Sequence, residues 1–323
     1  MLKSFFYAKE WLLWSWGGTI LLGFMLWGQV QLSVWLNDWY KRFYNILQKA
    51  NDIDAFWSSM YEFTYIAGSI IGASVAVYYF AQHYAFRWRQ AITYYYLPYW
   101  ESSDKTIEGA SQRIQEDTYA FARGLETLAL GLFKAILTLI AFIPILWELS
   151  SKITIPWLMA YEGSLVWIAL ITSLGGLVVS YIVGIKLPGL EYENQKVEAA
   201  YRKQLVYSED DKKYAEVPIM IDFFENLRTN YFRMFNHYTY FKVWSVLYSQ
   251  VTRLLPYLLM GPSLFKGIIL LGIITQTGNA FRKVNNSFSY LIKRWTHITK
   301  FISVVKRLRE FEKKLIENNK KEE

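Results

Sequence analysis

The stretch WLLWSWGGTILLGFMLWGQVQLSVWL, residues 11–36, decides the fold, because it carries no charged side chain. A helix needs about 20 apolar residues to cross the hydrocarbon core of a bilayer, so this run is long enough to cross it. It is too long for the apolar core of a signal peptide, and no small-residue cleavage site follows it. The run therefore predicts a first span that is retained in the protein.

Further apolar runs follow along the chain, and together they predict an all-α polytopic membrane protein. Turn-forming residues from Gly261 to Ser263 separate the last two runs. We expect a single transmembrane domain over residues 1–323, with connections at 83–126 and 188–242 and a tail at 282–323. The predicted spans, about six, lie near residues 11–36, 63–82, 127–147, 164–187, 243–260 and 263–281.

The composition excludes several kinds of chemistry. The chain has 323 residues, of which 53% are hydrophobic, and it contains no cysteine. Disulfides, thiolate metal sites and cysteine nucleophiles are therefore excluded. The three histidines, His83, His237 and His297, are too scattered in sequence to suggest a metal site. No phosphate-binding loop or Ser-His-Asp pattern occurs, so we expect neither an enzyme nor a cofactor.

The positive charge is distributed unevenly between the connections. The net charge is +8, and most Lys and Arg residues lie in the two long connections and the tail. Cytoplasmic segments of membrane proteins carry the excess of Lys and Arg, so this pattern predicts that both termini are cytoplasmic. Basic cytoplasmic segments serve orientation and contact with membrane lipids, and we expect no nucleic-acid partner.

The first long connection contains IEGASQRIQED, residues 107–117, which reads as a turn at Gly109 followed by a short charged helix. Arg113 can pair there with Glu116 and Asp117, three and four residues ahead. We expect the helices to continue past the membrane on this side. Six spans with such extensions describe the membrane half of an ABC exporter, in which a short cross-helix docks onto an ATPase.

No ATP-binding motif accompanies this architecture in the sequence. G-x-x-x-x-G-K-[ST] is absent, and the residues after the sixth predicted span are too few for a nucleotide-binding domain. Either a separate subunit hydrolyses ATP, or another source of energy drives the protein.

Three long motifs in the connections are similar to those of a known family. They are FRWRQAITYYYLPYWESSDKTIEGASQRIQEDTYAFARGLE (86–126), VGIKLPGLEYENQKVEAAYRKQLVYSEDD (183–211) and NYFRMFNHYTYF (230–241). With these motifs the chain resembles the SbmA/BacA family of bacterial inner-membrane peptide transporters. The resemblance implies an ABC-exporter-like homodimer without an ATPase subunit, which uses the proton gradient to import peptides and peptide-like antibiotics.

Acidic residues at regular spacing suggest where protons would bind. On a helix that turns about 100° per residue, Glu191, Glu198 and Glu209 fall within about 20° of one face and form a ladder about 27 Å tall. A carboxylate partly removed from water is suited to proton transfer, because desolvation favours its neutral form. A simple surface ion pair, for example between Glu198 and Arg202, is the alternative interpretation.

The family resemblance implies that Glu116, Glu126, Glu198 and Glu209 line the transport cavity and couple protons, and Glu191 matches the same pattern. The residues that bind substrate are not identified by the sequence. Two other functions stay open: the membrane subunit of a two-component ABC transporter, and a carrier of fatty-acyl or other lipids.

Overall fold

The computed structural model describes residues 2–102, 109–159 and 161–319. Every regular element in these ranges is helical, so the predicted all-α class is confirmed. Residues 103–108 of the first predicted connection and 320–323 of the predicted tail lie outside the described residues. The helices are α1 (Leu2–Phe6), α2 (Lys9–Lys49), α3 (Ile53–Glu101), α4 (Ala110–Ser150), α5 (Pro156–Met159), α6 (Ser164–Gly184), α7 (Leu187–Asp210), α8 (Val217–Phe265), α9 (Leu271–Phe288), α10 (Tyr290–Lys293) and α11 (Trp295–Asn319).

Four stretches of helix are long and apolar enough to cross a membrane. They are α2, α3, α4 and the stretch Ser164–Asp210, and they contain the first four predicted spans. Hydrocarbon offers no hydrogen-bond partners to backbone N–H and C=O groups, whereas a helix pairs these groups internally. This explains why the apolar runs are helical. Within the described residues, α8 and α9 do not meet the same condition of length and hydropathy. The count of six spans stays a prediction.

The turn that the sequence predicted at Gly261 to Ser263 does not form. Helix α8 continues through Gly261 to Ser263 and ends at Phe265. Pro262 lacks an N–H group, but its carbonyl still accepts a hydrogen bond from the Lys266 N–H at 3.1 Å, so the helix is not interrupted there. The turn comes later, where Gly267 adopts a φ of +70°, a left-handed conformation that glycine tolerates without strain.

The helices α3 and α4 extend beyond their predicted spans. Helix α3 continues to Glu101, with Pro98 in its last turn. Helix α4 begins after Gly109, whose φ is +73°. The predicted short charged helix is therefore the first part of α4, and it continues into the third predicted span. Two turns of α4 have π-helical geometry, Arg113–Asp117 and Leu125–Ala129.

The chain forms two compact units, Met1–Leu170 with Pro256–Glu323, and Ile171–Leu255. In the first unit, α2 packs against α3, α4 and α9. An aromatic core joins α1, α3, α4 and α11 in the same unit. It includes the ring pairs Phe5–Trp88 (4.9 Å between centroids), Trp88–Phe121 (5.6 Å), Phe121–Phe301 (5.7 Å) and Tyr96–Phe311 (5.4 Å).

The second unit contains the end of α6, all of α7 and most of α8. A short 3₁₀ turn, Lys212–Tyr214, connects α7 to α8. The Ser208 hydroxyl donates to the carbonyl of Tyr214 at 2.9 Å, and the Gln204 amide donates to the same oxygen at 3.1 Å. These bonds hold the connection against the end of α7.

The start of α9 packs tightly against α2 and yields a test of the fold. The Gly272 N–H donates to Asn45 Oδ1 at 3.0 Å, and a Cβ atom at position 272 would collide with the backbone carbonyl of Lys41. We predict that Gly272→Ala lowers the free energy of unfolding by about 1–3 kcal/mol, because one helix must move away from the other. Thermal unfolding in detergent measures the change. Gly28→Ala is the control, since nothing lies within 4 Å of its added Cβ; equal stability of the two variants would contradict this packing.

Candidate functional site

Two of the predicted proton-coupling residues lie in the π-helical turns of α4. Glu116 belongs to Arg113–Asp117, and Glu126 belongs to Leu125–Ala129. Single π-helical turns inside α-helices are rare and occur frequently at functional sites, because the extra residue redirects the neighbouring side chains. The structure thus gives these two positions an unusual backbone that residue spacing did not indicate.

Glu126 lies beside an apolar cavity of about 320 Å³ in the first unit. Its side chain is 12% exposed, and Arg123 Nη1 lies 3.4 Å from its carboxylate. Arg123 is itself 55% exposed, so water weakens the attraction between the two charges. Glu126 is the one acidic residue in the lining of this cavity. The remaining lining residues are Phe6, Thr19, Leu22, Gly23, Leu26, Ala81, Tyr84, Ala85, Trp88, Leu125, Ala129, Leu130 and Phe133.

Glu116 and the adjacent Asp117 have different surroundings. Glu116 is exposed and accepts a hydrogen bond from the Gln112 amide at 3.0 Å. Asp117 is 2% exposed and binds Arg113 at 2.8 Å and Arg307 at 2.6 Å. Of the two pairs predicted for Arg113, the structure shows the one with Asp117. The hydrogen bond to Asp117 raises the pKa of the Arg307 guanidinium, so this partner stays cationic.

Asp117 therefore joins α4 to the C-terminal helix α11. Its two guanidinium partners favour the charged carboxylate, which makes this residue suited to a structural role. Sequence reasoning placed Asp117 only in a surface pair, since its second partner lies 190 residues away in the chain.

The second unit holds the remaining three glutamates on a single helix. Helix α7 is continuous from Leu187 to Asp210, as the ladder requires. The Tyr238 hydroxyl donates to Glu191 Oε2 at 3.2 Å, and the Tyr231 hydroxyl donates to Glu198 Oε1 at 2.8 Å. The two glutamates are seven residues apart on α7, and their tyrosine partners are seven residues apart on α8 in the reverse order. The two helices therefore pack antiparallel along this contact.

The alternative interpretation, an ion pair between Glu198 and Arg202, is not seen among the described residues, where Glu198 binds Tyr231 instead. Glu209 is exposed near the end of α7, and within the described residues it has no hydrogen-bond or ion-pair partner. Glu116 and Glu126 belong to the first unit, and Glu191, Glu198 and Glu209 belong to the second.

A tyrosine partner differs chemically from a cationic one. A hydroxyl group donates to a carboxylate and accepts from a carboxylic acid, so it can stay bound in both protonation states. Burial, followed by the charge of Glu191, raises the pKa of Tyr238, and its hydroxyl therefore remains a neutral donor. Glu191 and Glu198 thus have partners that do not hold them in one charge state.

A line of polar residues on α2 was not recognised from the sequence. Gln29, Ser33 and Asn37 follow one another at intervals of four, which places them on one helix face. Lys134 donates to the Gln29 side-chain oxygen, and the Gln29 amide donates to Ser74 at 3.0 Å. The four-residue spacing of polar side chains within an apolar run was the available signal. The described residues contain no group of three or more His, Asp or Glu side chains arranged to hold a metal.

These features define an integral membrane protein with titratable side chains along its long helices. A family model described as the SbmA/BacA-like family matches residues 8–316, and the chain belongs to this family. The match includes α2 as well as the motifs noted in the sequence.

Individual relatives are proteins named as ABC transporters. The chain is 28% identical to the inner membrane ABC transporter ATP-binding protein YddA of Escherichia coli, over 90% of this chain and 56% of the relative. It is 26% identical to an uncharacterized ABC transporter ATP-binding protein of Synechocystis, over 94% of this chain and 46% of the relative. It is 25% identical to the chloroplastic ABC transporter D family member 2 of Arabidopsis thaliana, over 89% of this chain and 41% of the relative. The chain spans about half the length of these relatives.

The buried Asp117 gives a prediction about stability. Asp117→Asn leaves Arg113 and Arg307 without their anionic partner, and because both arginines are partly exposed we expect the free energy of unfolding to fall by about 1–3 kcal/mol. Thermal unfolding in detergent measures the loss. The adjacent Glu116→Gln is the control, because an exposed carboxylate should change stability by about 0.5 kcal/mol or less. If Asp117→Asn were as stable as Glu116→Gln, the ion pair between α4 and α11 would not contribute to the stability of the fold.

Proposed function

We propose that this protein imports peptides and peptide-like antibiotics across the bacterial inner membrane and uses the proton gradient as its source of energy. Membership of the SbmA/BacA-like family and the names of its relatives support a membrane transporter. One observation carries the proton-coupling part of the proposal. Within the described residues, none of the glutamates that the family resemblance indicates binds two guanidinium groups, whereas the adjacent buried Asp117 does.

The five glutamates take different parts in this scheme. Glu126 holds a proton beside the apolar cavity, where water is scarce. Glu191 and Glu198 exchange protons while they stay bonded to their tyrosines. The exposed Glu116 and Glu209 exchange protons with water. No ATPase subunit takes part in the proposed cycle.

Uptake by purified variants provides the decisive comparison. Purified protein in liposomes, with an imposed pH gradient and no nucleotide, should take up a labelled proline-rich cationic peptide. In Glu126→Gln and Glu198→Gln, uptake should fall to the rate measured without a gradient, because an amide cannot bind and release the proton.

Glu225→Gln is the matched control for the uptake experiment. Glu225 is 44% exposed and pairs with Arg228 at 2.6 Å within α8, so its loss removes a carboxylate outside the proposed set. This variant should retain uptake. Gradient-driven uptake that survives in both Glu126→Gln and Glu198→Gln would overturn the assigned role of these glutamates.

We also propose that two copies of the chain form the transporter. In the second unit, the part of α8 from residue 243 to 255 exposes large apolar side chains that its partner helices leave uncovered. Lipid or another copy of the chain must cover them, and the family resemblance favours another copy. The side chains are Val243, Val246, Leu247, Val251 and Leu254.

The homodimer is directly measurable. In detergent, the protein mass after subtraction of the bound detergent should be twice the 38.1 kDa of one chain. Because the chain has no cysteine, single cysteines introduced along residues 243–255 report contacts between copies without interference. At least one of these positions should give a crosslinked dimer. A mass of one chain, with no crosslink at any position, would contradict the proposal.

A second candidate function is the membrane part of an ABC transporter that is driven by ATP. The names of the relatives favour it, because the E. coli and Synechocystis proteins are called ATP-binding. In that case the start of α4, which carries the exposed Glu116, would dock the ATPase. Uptake that needs ATP and an ATPase partner, and that ignores the pH gradient, would select this candidate.

A further inference from the structure

A second pocket in the first unit has a character opposite to that of the cavity beside Glu126. It encloses about 300 Å³ between α2, α4 and α9 and is lined mainly by polar and cationic side chains. No carboxylate belongs to its lining. The lining residues are Ser33, Leu36, Asn37, Tyr40, Phe142, Asn279, Arg282, Lys283 and Asn286.

The two cations of this pocket have neutral partners. Arg282 donates to Asn279 Oδ1, and Lys283 donates to Ser33 Oγ at 3.4 Å. Within the described residues neither side chain makes an ion pair with an acid. Lys134 adds a third positive charge nearby, since it binds Gln29 one helical turn before Ser33. Among the described residues, no carboxylate pairs with any of these three cations.

Asn37 provides an independent indication that a ligand binds here. It is 3% exposed and lines the pocket, yet neither its Nδ2 nor its Oδ1 has a hydrogen-bond partner among the described residues. A buried amide without partners is costly and calls for an explanation, such as a bound molecule that supplies them. An anionic oxygen would accept the Nδ2 hydrogens.

We infer that this pocket binds the C-terminal carboxylate of a peptide substrate, with Arg282, Lys283 and Asn37 as its donors. A guanidinium and a neighbouring amide suit the planar, two-oxygen geometry of a carboxylate. Seven of the nine lining residues are polar or cationic, which favours a charged ligand group over an acyl chain. Every unmodified peptide has this carboxylate whatever its sequence, so the site would orient substrates without selecting side chains. The inference rests on the proposed peptide transport.

The test is equilibrium binding, which needs no proton gradient. A fluorescent proline-rich peptide is prepared with a free C-terminal carboxylate and, separately, as the C-terminal amide. Fluorescence anisotropy with the purified full chain in uncharged detergent should show about tenfold tighter binding of the free acid, because charge-assisted hydrogen bonds are the strong ones. In the double variant Arg282→Gln, Lys283→Gln the free acid should bind as weakly as the amide.

A matched variant controls for the lost charge. Lys306→Gln with Arg309→Gln removes two exposed cations of α11 outside the pocket, and it should keep the preference for the free acid. Asn37→Leu should weaken binding of the free acid while the amide changes less. Both pocket cations are exposed in the protomer, so their substitution is not expected to unfold the protein.

Other results would overturn the inference. Equal affinity of wild type for acid and amide, or no binding of either, would exclude a carboxylate site for peptides. Displacement of both peptides alike by phosphatidylglycerol, but not by phosphatidylcholine, would identify the pocket as a lipid phosphate site instead. Failure of the proposed function is a separate result. If the protein binds the free acid more tightly but its uptake does not depend on the pH gradient, the carboxylate site stands and proton coupling is rejected.

Discussion

The central constraint on this protein is that hydrocarbon offers no hydrogen-bond partners. Backbone groups must therefore pair within helices, and long apolar helices dominate the described residues. The same constraint makes each polar side chain in these helices expensive unless another group satisfies it. Lys134, Gln29 and Ser74 satisfy one another across three helices. Asn37 lacks such a partner for both side-chain atoms among the described residues, which is why we place a ligand there.

The choice of partner separates structural carboxylates from those suited to proton transfer. Asp117 is enclosed by two guanidinium groups and joins helices far apart in the sequence. Glu62, bound to Arg42 at 2.7 Å, belongs to the same class. Glu191 and Glu198 bind tyrosine hydroxyls, which accept either protonation state. In our account the acidic groups carry protons, and the cationic pocket of the first unit holds the substrate's own negative charge.

The sequence predicted the helical class, the first four spans and the family because those signals are local. Apolar run length decides a span, and motifs such as QRIQED need no knowledge of distant contacts. The turn predicted at Gly261 to Ser263 was misplaced, because a proline near a helix end can remain inside the helix while a later glycine ends it. The tyrosine partners and the second partner of Asp117 were missed because they come from other helices, up to 190 residues away. Spacing on one helix identifies which side chains share a face, but it does not identify what packs against that face.

The most direct test of the central claim is to measure protons and peptide together. Liposomes that contain the protein and an internal pH-sensitive dye, without nucleotide, would receive peptide from outside under an inward proton gradient. Our account predicts that peptide addition acidifies the interior faster than the passive leak, and that the extra proton flux increases with the amount of peptide taken up. Peptide entry without any additional proton flux would contradict it.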